Sequence, residues 1–478
     1  MSRLSTVLVA LVLLALAGCA TVGPNYAVPA RAKINLPAAQ GAFVGAGEAP
    51  VSQDPLPDDW WRLYDDPRLD GLIRQALAAN TDLRVAAANL ARARAVSAEA
   101  RDAGEIELST SASAARAQLS GESYLLTEPV PPMSLGDVGL NVSYQIDLVG
   151  RLRRAAEAAN ADAQASQAAL DLAKVSVVAD VARAYVDACS AGRELAVAET
   201  AAGLQDKALA ASVRLAAAGR GSQLDITRGR GLTDQARAVL PGFEARRRAA
   251  LYRLAVLTGQ PPAAFPRELD DCASPPRLSR PIPVGDGAAL LRRRPDVRQA
   301  ERTLAGATAR IGVATAALYP SVSLGLGAGS TGLLSDLGQP AANRWSAGSL
   351  ITWTLPTGAE RARIRQANAG ADAALARFDG VVLNALRETE TGLTVYAHDL
   401  DRNAQLRAAR DEAATAADQA QKLRRAGRSP YLSGLEAERA LIGAEAALAA
   451  SDTQVADDQI ALFLALGGGW AGDAGRRF

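Results

Sequence analysis

Few residues in this chain are of the types that do covalent chemistry. Its 478 residues hold one histidine, His398, three cysteines and two methionines. His398 has no nucleophile or acid partner at a useful spacing, and no Gly-rich phosphate loop or metal-ligand spacing occurs. The chain therefore offers no catalytic constellation, no metal ligands and no cofactor-binding motif, and an enzyme is not expected. One thiol stands apart. Arg3, an apolar run from Val7 to Leu16, and then Leu16-Ala17-Gly18-Cys19 follow the order of a secretory signal. Its end resembles a bacterial lipobox, with residues 1–18 removed and Cys19 as the lipid-modified first residue of the mature protein. The apolar run is too short to span a bilayer, so the covalent lipid tethers the chain without making it span. Ala20, rather than Asp, after the cysteine is the outer-membrane sorting state. The remaining thiols, Cys189 and Cys272, fall in a helical stretch and a Pro-rich stretch. Sequence does not show whether they meet, and two unpaired, partly buried thiols are the expectation.

Charge and composition exclude other classes. The net charge is +1, which leaves no electrostatic footprint for nucleic acid. Apolar residues make up 49% but aromatics only 4%, and much of the apolar share is alanine. Such a chain suits long helices in close contact better than one thick core.

The elements come in a repeated order. Val138, Leu140, Val142, Tyr144 and Ile146 alternate with polar residues, the period-2 mark of a half-buried strand. From Arg151 the pattern becomes helical and free of proline up to Gly219, a helix of about 100 Å. Asn80-Thr81-Asp82-Leu83-Arg84 can be laid on Arg294-Pro295-Asp296-Val297-Arg298, and farther along Gly150, Gly219 and Leu224 match Gly358, Gly427 and Leu432. One unit is used twice: helix, strand, loop, strand, very long helix, tight turn, returning helix. A helix is predicted from about Leu69 to Ala103. The second copy's strands are predicted around Val322–Ala328 and Ile351–Leu355, with a turn-rich stretch from Gly329 to Arg344, and a last helix from about Asp452 to Leu466. The divisions are a signal peptide 1–18, a lipid-anchored arm 19–68, a first repeat 69–258, a Pro-rich linker 259–287, a second repeat 288–466 and a tail 467–478. Trp60 and Trp61 are read as packing residues where the arm meets the helices, and the Arg292-Arg293-Arg294 run as surface or interface charge.

Strands of this length, apolar on one face, can cross a bilayer when tilted. Four of them cannot close a barrel, and an open edge in lipid leaves backbone groups unpaired. Closure must come from other copies of the chain. Small residues along the long helix, such as Ala155, Ala156, Ala158 and Ala159, permit a ring of helices that continues the barrel.

Several stretches resemble one family. They are Leu290-Leu291-Arg292-Arg293-Arg294-Pro295-Asp296 with Gln299-Ala300-Glu301-Arg302, then Ile311-Gly312-Val313-Ala314, Tyr319-Pro320-Ser321, Asp147-Leu148-Val149-Gly150-Arg151, Gly219 to Asp225, and Leu466 to Trp470. Together they are similar to the outer-membrane efflux lipoproteins, the TolC/OprM/NodT-type channels of resistance-nodulation-division (RND) export systems. The resemblance implies an α+β membrane protein with two repeats and four strands per chain, forming a homotrimer whose 12-stranded β-barrel continues into an α-helical barrel. It also implies docking onto a periplasmic adaptor protein and an inner-membrane pump. The chain would be a passive exit duct for drugs or other small toxic compounds, set in outer-membrane lipid with a long periplasmic portion. A type I secretion outlet and a pore-less, lipid-anchored coiled-coil scaffold are the competing readings.

The turns Ala218-Gly219-Arg220-Gly221-Ser222 and Ala426-Gly427-Arg428-Ser429-Pro430 lie farthest along the chain from the strands and form the tip. Glycine ends the outgoing helix and Ser222 caps the next. By the resemblance, Gly219, Arg220, Ser222, Gly427, Arg428 and Ser429 receive the adaptor. Asp225 and Glu436 fall where the family carries acidic residues around the closed aperture, while Ser433 stands where many relatives have Asp.

Overall fold

The computed structural model of the protein describes residues 21–468 apart from 123, 124, 126 and 430. The signal peptide, Cys19 and the Trp470 end of the closing run lie outside the described residues. The chain divides into two compact units, each built from segments far apart in sequence. One contains the residues up to Pro29, Leu90–Ser166 and Ala300–Phe378; the other contains Ala30–Asn89, Gln167–Gln299 and Asp379 onward.

The first unit is organised by a four-stranded antiparallel sheet, β1 (Glu107–Ala117), β2 (Met133–Ile146), β3 (Ser321–Leu333) and β4 (Asn343–Thr352), in sequential order. β2 and β3 come from different repeats and pair from Leu135↔Leu333 to Ile146↔Val322. Directly opposed residues share a face, so the register sorts the side chains. Leu108, Val142, Leu326 and Ala347 form one row, with Tyr144 and Leu324, and Ile146, Val322 and Ile351, in rows beside it. The other face carries Glu107, Ser109, Ser111, Asn141, Ser143, Gln145, Thr331, Arg344 and Ser346, with Leu135, Leu333 and Leu350 among its apolar exceptions. Most of the apolar face is left open by the described residues: Trp345 is 83% exposed and every residue of β4 is open, while Leu334 and Leu337 lie over Gly136 at its far end.

Two strand predictions shift. β1 runs eleven residues although its positions on the apolar face beyond Leu108 are Thr110, Ala112 and Ala114, too small to register as apolar alternation. The stretch from Gly329 reads as a turn, yet β3 continues through it to Leu333. The Gly329 backbone approaches so closely that a Cβ would lie 2.4 Å from the Val138 carbonyl oxygen, so glycine here serves strand pairing. Trp353 falls past the end of β4, its indole N–H donating to the Leu318 carbonyl at 3.1 Å.

The helices are α1 (Pro67–Ala79), α2 (Thr81–Asp102), α3 (Arg151–Ala217), α4 (Gln223–Ala238), α5 (Leu240–Leu257), α6 (Gly287–Arg293), α7 (Pro295–Ala316), α8 (Gly358–Arg425) and α9 (Tyr431–Ala465). α3 and α8 are unbroken over 67 and 68 residues. The single helix predicted from Leu69 to Ala103 is two, because Asn80 leaves helical geometry and its side-chain oxygen accepts from the N–H groups of Asp82 and Leu83. The equivalent position of the second repeat, Arg294, makes the same break between α6 and α7. The expected separate helix from Asp452 is the end of continuous α9.

The second unit holds the main core. Trp60 is fully buried and stacks on Phe463 with ring centroids 4.3 Å apart, flanked by Trp61 and Tyr64, so the paired tryptophans are packing residues. Buried residues of α1, α3, α5 and α9, among them Ile73, Val181, Leu254 and Ile460, complete it. Contrary to the expectation of free thiols, Cys189 on α3 and Cys272 in the linker form a disulfide. Gly192 makes room for that crossing, since a Cβ there would sit 2.1 Å from the Cys272 carbonyl oxygen. The partners are 83 residues apart, a pairing no local pattern encodes.

Candidate functional site

Both hairpin tips have the same backbone construction. Gly219 and Gly427 adopt φ of +69° and +68°, and their N–H groups bond back to the Ala216 and Arg424 carbonyls. The next N–H groups, of Arg220 and Arg428, reach the Leu215 and Leu423 carbonyls at 2.8 and 2.9 Å. These paired bonds close a helix around a left-handed residue. In the first tip Ser222 then caps α4, as its residue type foretells. Its hydroxyl oxygen accepts from the Asp225 N–H at 3.1 Å, and the Asp225 carboxylate accepts from the Ser222 N–H at 3.1 Å, a reciprocal capping box. The hydroxyl and N–H of Ser222 hold Asp225 below the usual carboxylate range, with Arg228 adding to the effect.

Asp225, Ser433 and Glu436 are all exposed in the protomer. No hydrogen bond or ion pair joins any two of them among the described residues. The hairpins themselves are fastened together below the tips. Leu204 and Ala208 of α3 pack on Leu435 of α9, and the Arg439 guanidinium donates to the Gln205 side-chain oxygen at 2.7 Å. Arg237 of α4 pairs with Asp206 of α3 at 2.9 Å. These fasteners lie outside the tip motif and were not singled out from sequence, because their partners sit on other helices.

At the strand-to-helix junction of the first unit, Asp147 accepts from the N–H groups of Leu152 and Arg153 and so caps the start of α3. Gly150, at φ +79°, lets Thr21 lie against it. The arm then crosses α7 at Gly312, whose missing Cβ leaves space for the Val22 carbonyl and Arg154. Arg154, 3% exposed, donates to the Val22 and Gly23 carbonyls and to the Asn25 side-chain oxygen. Tyr26 donates to the Glu301 carboxylate at 2.5 Å, and Arg302 lies over its ring. The stretches Asp147–Arg151 and Ile311–Ala314 thus fix where the arm starts along the body. Cys19 is only two residues before Thr21 in the chain.

The Arg292-Arg293-Arg294 run, read from sequence as surface or interface charge, is only partly at the surface. Arg292 is exposed, but Arg293 donates to the carbonyls of Leu56, Pro57 and Gly467 and pairs with Asp58. Arg294, 8% exposed, bridges Asp296, Glu388 and the Ala465 carbonyl, linking the start of α7 to α8 and α9. A second group missed from sequence is a carboxyl cluster. Burial, then the neighbouring Asp187 charge, raises Asp457 to about 6. Burial raises Asp458 to about 6 as well, with Asp399 adding to the shift and the Gln454 hydrogen bond opposing it. Periodicity placed these acids on a helix but could not show that the face they occupy is covered.

Among the described residues, no group of three or more His, Cys, Asp or Glu is placed to hold a metal, and no helix is long and apolar enough to cross a membrane. The family described as Outer membrane efflux protein matches residues 72–260 and 288–468. Nodulation protein T of Rhizobium leguminosarum bv. trifolii is 30% identical over 470 residues, 96% of either chain. Outer membrane protein OprJ of Pseudomonas aeruginosa is 31% identical over 481 residues, 99% of this chain and 96% of its own. Among solved structures, the outer-membrane channel OprN superposes with a TM-score of 0.84 at 34% identity, covering 94% of this chain and 99% of that one.

Proposed function

The chain belongs to the outer membrane efflux protein family, and from that premise we propose that it is the outer-membrane exit duct of a tripartite RND-type efflux system. The observation that carries the reading is the sheet. It has one mainly apolar face, one mainly polar face, and two free edges, since β1 pairs only with β2 and β4 only with β3 among the described residues. A sheet of this kind is stable in lipid only when closed, because each unpaired backbone group there costs several kcal/mol. Four strands per chain are too few, and three copies give the twelve that leave a water-filled lumen. The apolar rows then face lipid and the Ser, Asn and Gln face lines the lumen.

Each sheet-forming half runs into a very long helix, α3 or α8, that ends at a tip. Three copies supply six such hairpins as a periplasmic tunnel. The tips receive a periplasmic adaptor, and an inner-membrane pump supplies the energy. Asp225 and Glu436 are the acidic groups at the aperture, and lipid on Cys19 holds the arm at the membrane face. Transport through the duct is passive.

The test is conductance of the purified trimer in planar bilayers. Discrete steps with a trimeric mass in detergent are expected. A trimer without conductance would favour the scaffold reading, and a monomer would refute closure by association.

A further inference from the structure

A cavity of about 490 Å³ in the second unit lies among α3, the start of α7, α8 and the last turns of α9. Its walls are mainly apolar, with Leu172 and Val175 of α3, Val395 of α8, and Ala461 and Leu464 of α9. Val395 and Ala461 are exposed, so the cavity opens to the surface of the protomer. Its charges fall into two groups. At one end Arg294 is matched by Asp296 at 2.7 Å and Glu388 at 2.9 Å, and Arg387 lies 3.7 Å from Glu388. Two arginines and two acids leave that end without net charge. About two turns away along α9, Asp458 also lines the cavity. It is 8% exposed; its Oδ1 accepts from the Gln454 amide at 2.9 Å, while its Oδ2 is buried and accepts no hydrogen bond. The groups that face Asp458 supply no cation. Asp399 of α8 and Asp457 beside it on α9 add to the burial that raises it to about 6, and Tyr396 of α8 feels its charge. Arg402 pairs with Asp399 at 3.9 Å rather than with Asp458, and α3 presents only Leu172 and Val175 to the cavity.

We infer that this cavity is a binding site for a small organic cation, a protonated amine on an apolar body, with the Asp458 carboxylate as its counter-ion. A carboxylate withdrawn from water without a counter-charge is unfavourable. A guest ammonium supplies that charge and donates to the free Oδ2, while its apolar body covers the leucine and valine wall. A neutral guest gains only the apolar contact, and an anion is repelled by Asp458. The volume lies within the range of small-molecule sites, about 300–1,000 Å³, and a mainly apolar wall with one placed polar group is their usual construction. The site is complete within one protomer and stands whether or not the chain conducts.

The test is a ligand-observed NMR titration of the full-length protein in lipid nanodiscs, with empty discs as the blank. The probes are phenethylammonium and its neutral isostere, phenethyl alcohol. At pH 8, where Asp458 is ionised, the amine should bind about ten-fold more tightly than the alcohol. At pH 5 Asp458 is largely protonated while the amine keeps its charge, so amine affinity should fall about ten-fold and alcohol affinity should hold. Asp458→Asn should remove the amine's advantage and its pH dependence while alcohol binding is kept. Ala461→Trp, which fills the cavity from an exposed position, should abolish binding of both probes with the oligomeric mass unchanged. Equal affinity for the two probes, or amine binding indifferent to either variant, would overturn the inference. So would failure of both probes to bind, the result expected if another copy of the chain fills the cavity. Conductance steps from the same preparation report separately on the conduit reading.

Discussion

Ser222 and Asp225 illustrate how one residue type can carry a structural and a functional assignment at once. Their reciprocal bonds start α4 and spend one face of the Asp225 carboxylate on the backbone. Ser222→Ala should cost about 1 kcal/mol locally, seen as faster amide exchange at Asp225 and Ile226 with the remainder of α4 unchanged. The sign for Asp225 follows from its lowered pKa: its capping contribution is complete above the unfolded value of about 3.9 and is lost as pH falls through the lower folded value. Asp457 behaves in the opposite sense. Raised to about 6 by burial and Asp187, it stays neutral in the fold over a range where the unfolded chain ionises. Stability therefore declines as pH rises from about 4 to about 6 and remains lower above that. Asp457→Asn should raise the thermal midpoint at pH 8 and leave it unchanged at pH 4. An equal shift at both pH values would show that the charge is not the cause.

At the scale of elements, the two hairpins test whether the tip acts through its shape. Gly219 and Gly427 have open space where a Cβ would project, so only their positive φ opposes substitution. Alanine at either should cost about 1 kcal/mol in the turn, whereas Gly427→Trp should impair adaptor docking, read as lost drug export, while trimer yield is kept. Normal export by that variant would separate the tip from docking. The linker offers a different kind of fastening. The Cys189–Cys272 bond ties the linker to the middle of α3 across 83 residues. Cys272→Ser should lower stability by about 2–5 kcal/mol, measured as a thermal midpoint that reductant no longer shifts. In both cases the element was visible in the sequence and its fastening was not. Helical periodicity located α3, but the disulfide depends on Gly192 admitting a carbonyl from a distant segment.

For the whole molecule, insertion and anchoring are separable. On the proposed reading, burial of the apolar sheet face and pairing of its edges would supply the driving force for a trimeric barrel, and lipid on Cys19 would add only a tether. Cys19→Ala should abolish lipidation, seen by mass spectrometry, and leave the trimer largely intact on gel filtration. Complete loss of trimer in that variant would mean that the anchor is needed for assembly. The clasp of Arg154 on Val22 and Gly23 supports that expectation, since these hydrogen bonds bind the arm to the body without calling on Cys19.

Periodicity determined most of the architecture. Alternation marked β2, the long proline-free stretch marked α3, and the matching turns at Gly219 and Gly427 disclosed the repeat, because these signals depend only on neighbours along the chain. Tertiary structure decided what depends on distant partners. It made strands of the small residues in β1 and of Gly329, joined Cys189 to Cys272, and gave Arg293 and Arg294, legible only as surface or interface charge, their partners as internal ties. It also buried Asp457 and Asp458 against an acidic neighbour. A side chain's environment is set by whatever segment packs on it, and that segment can lie anywhere in the sequence.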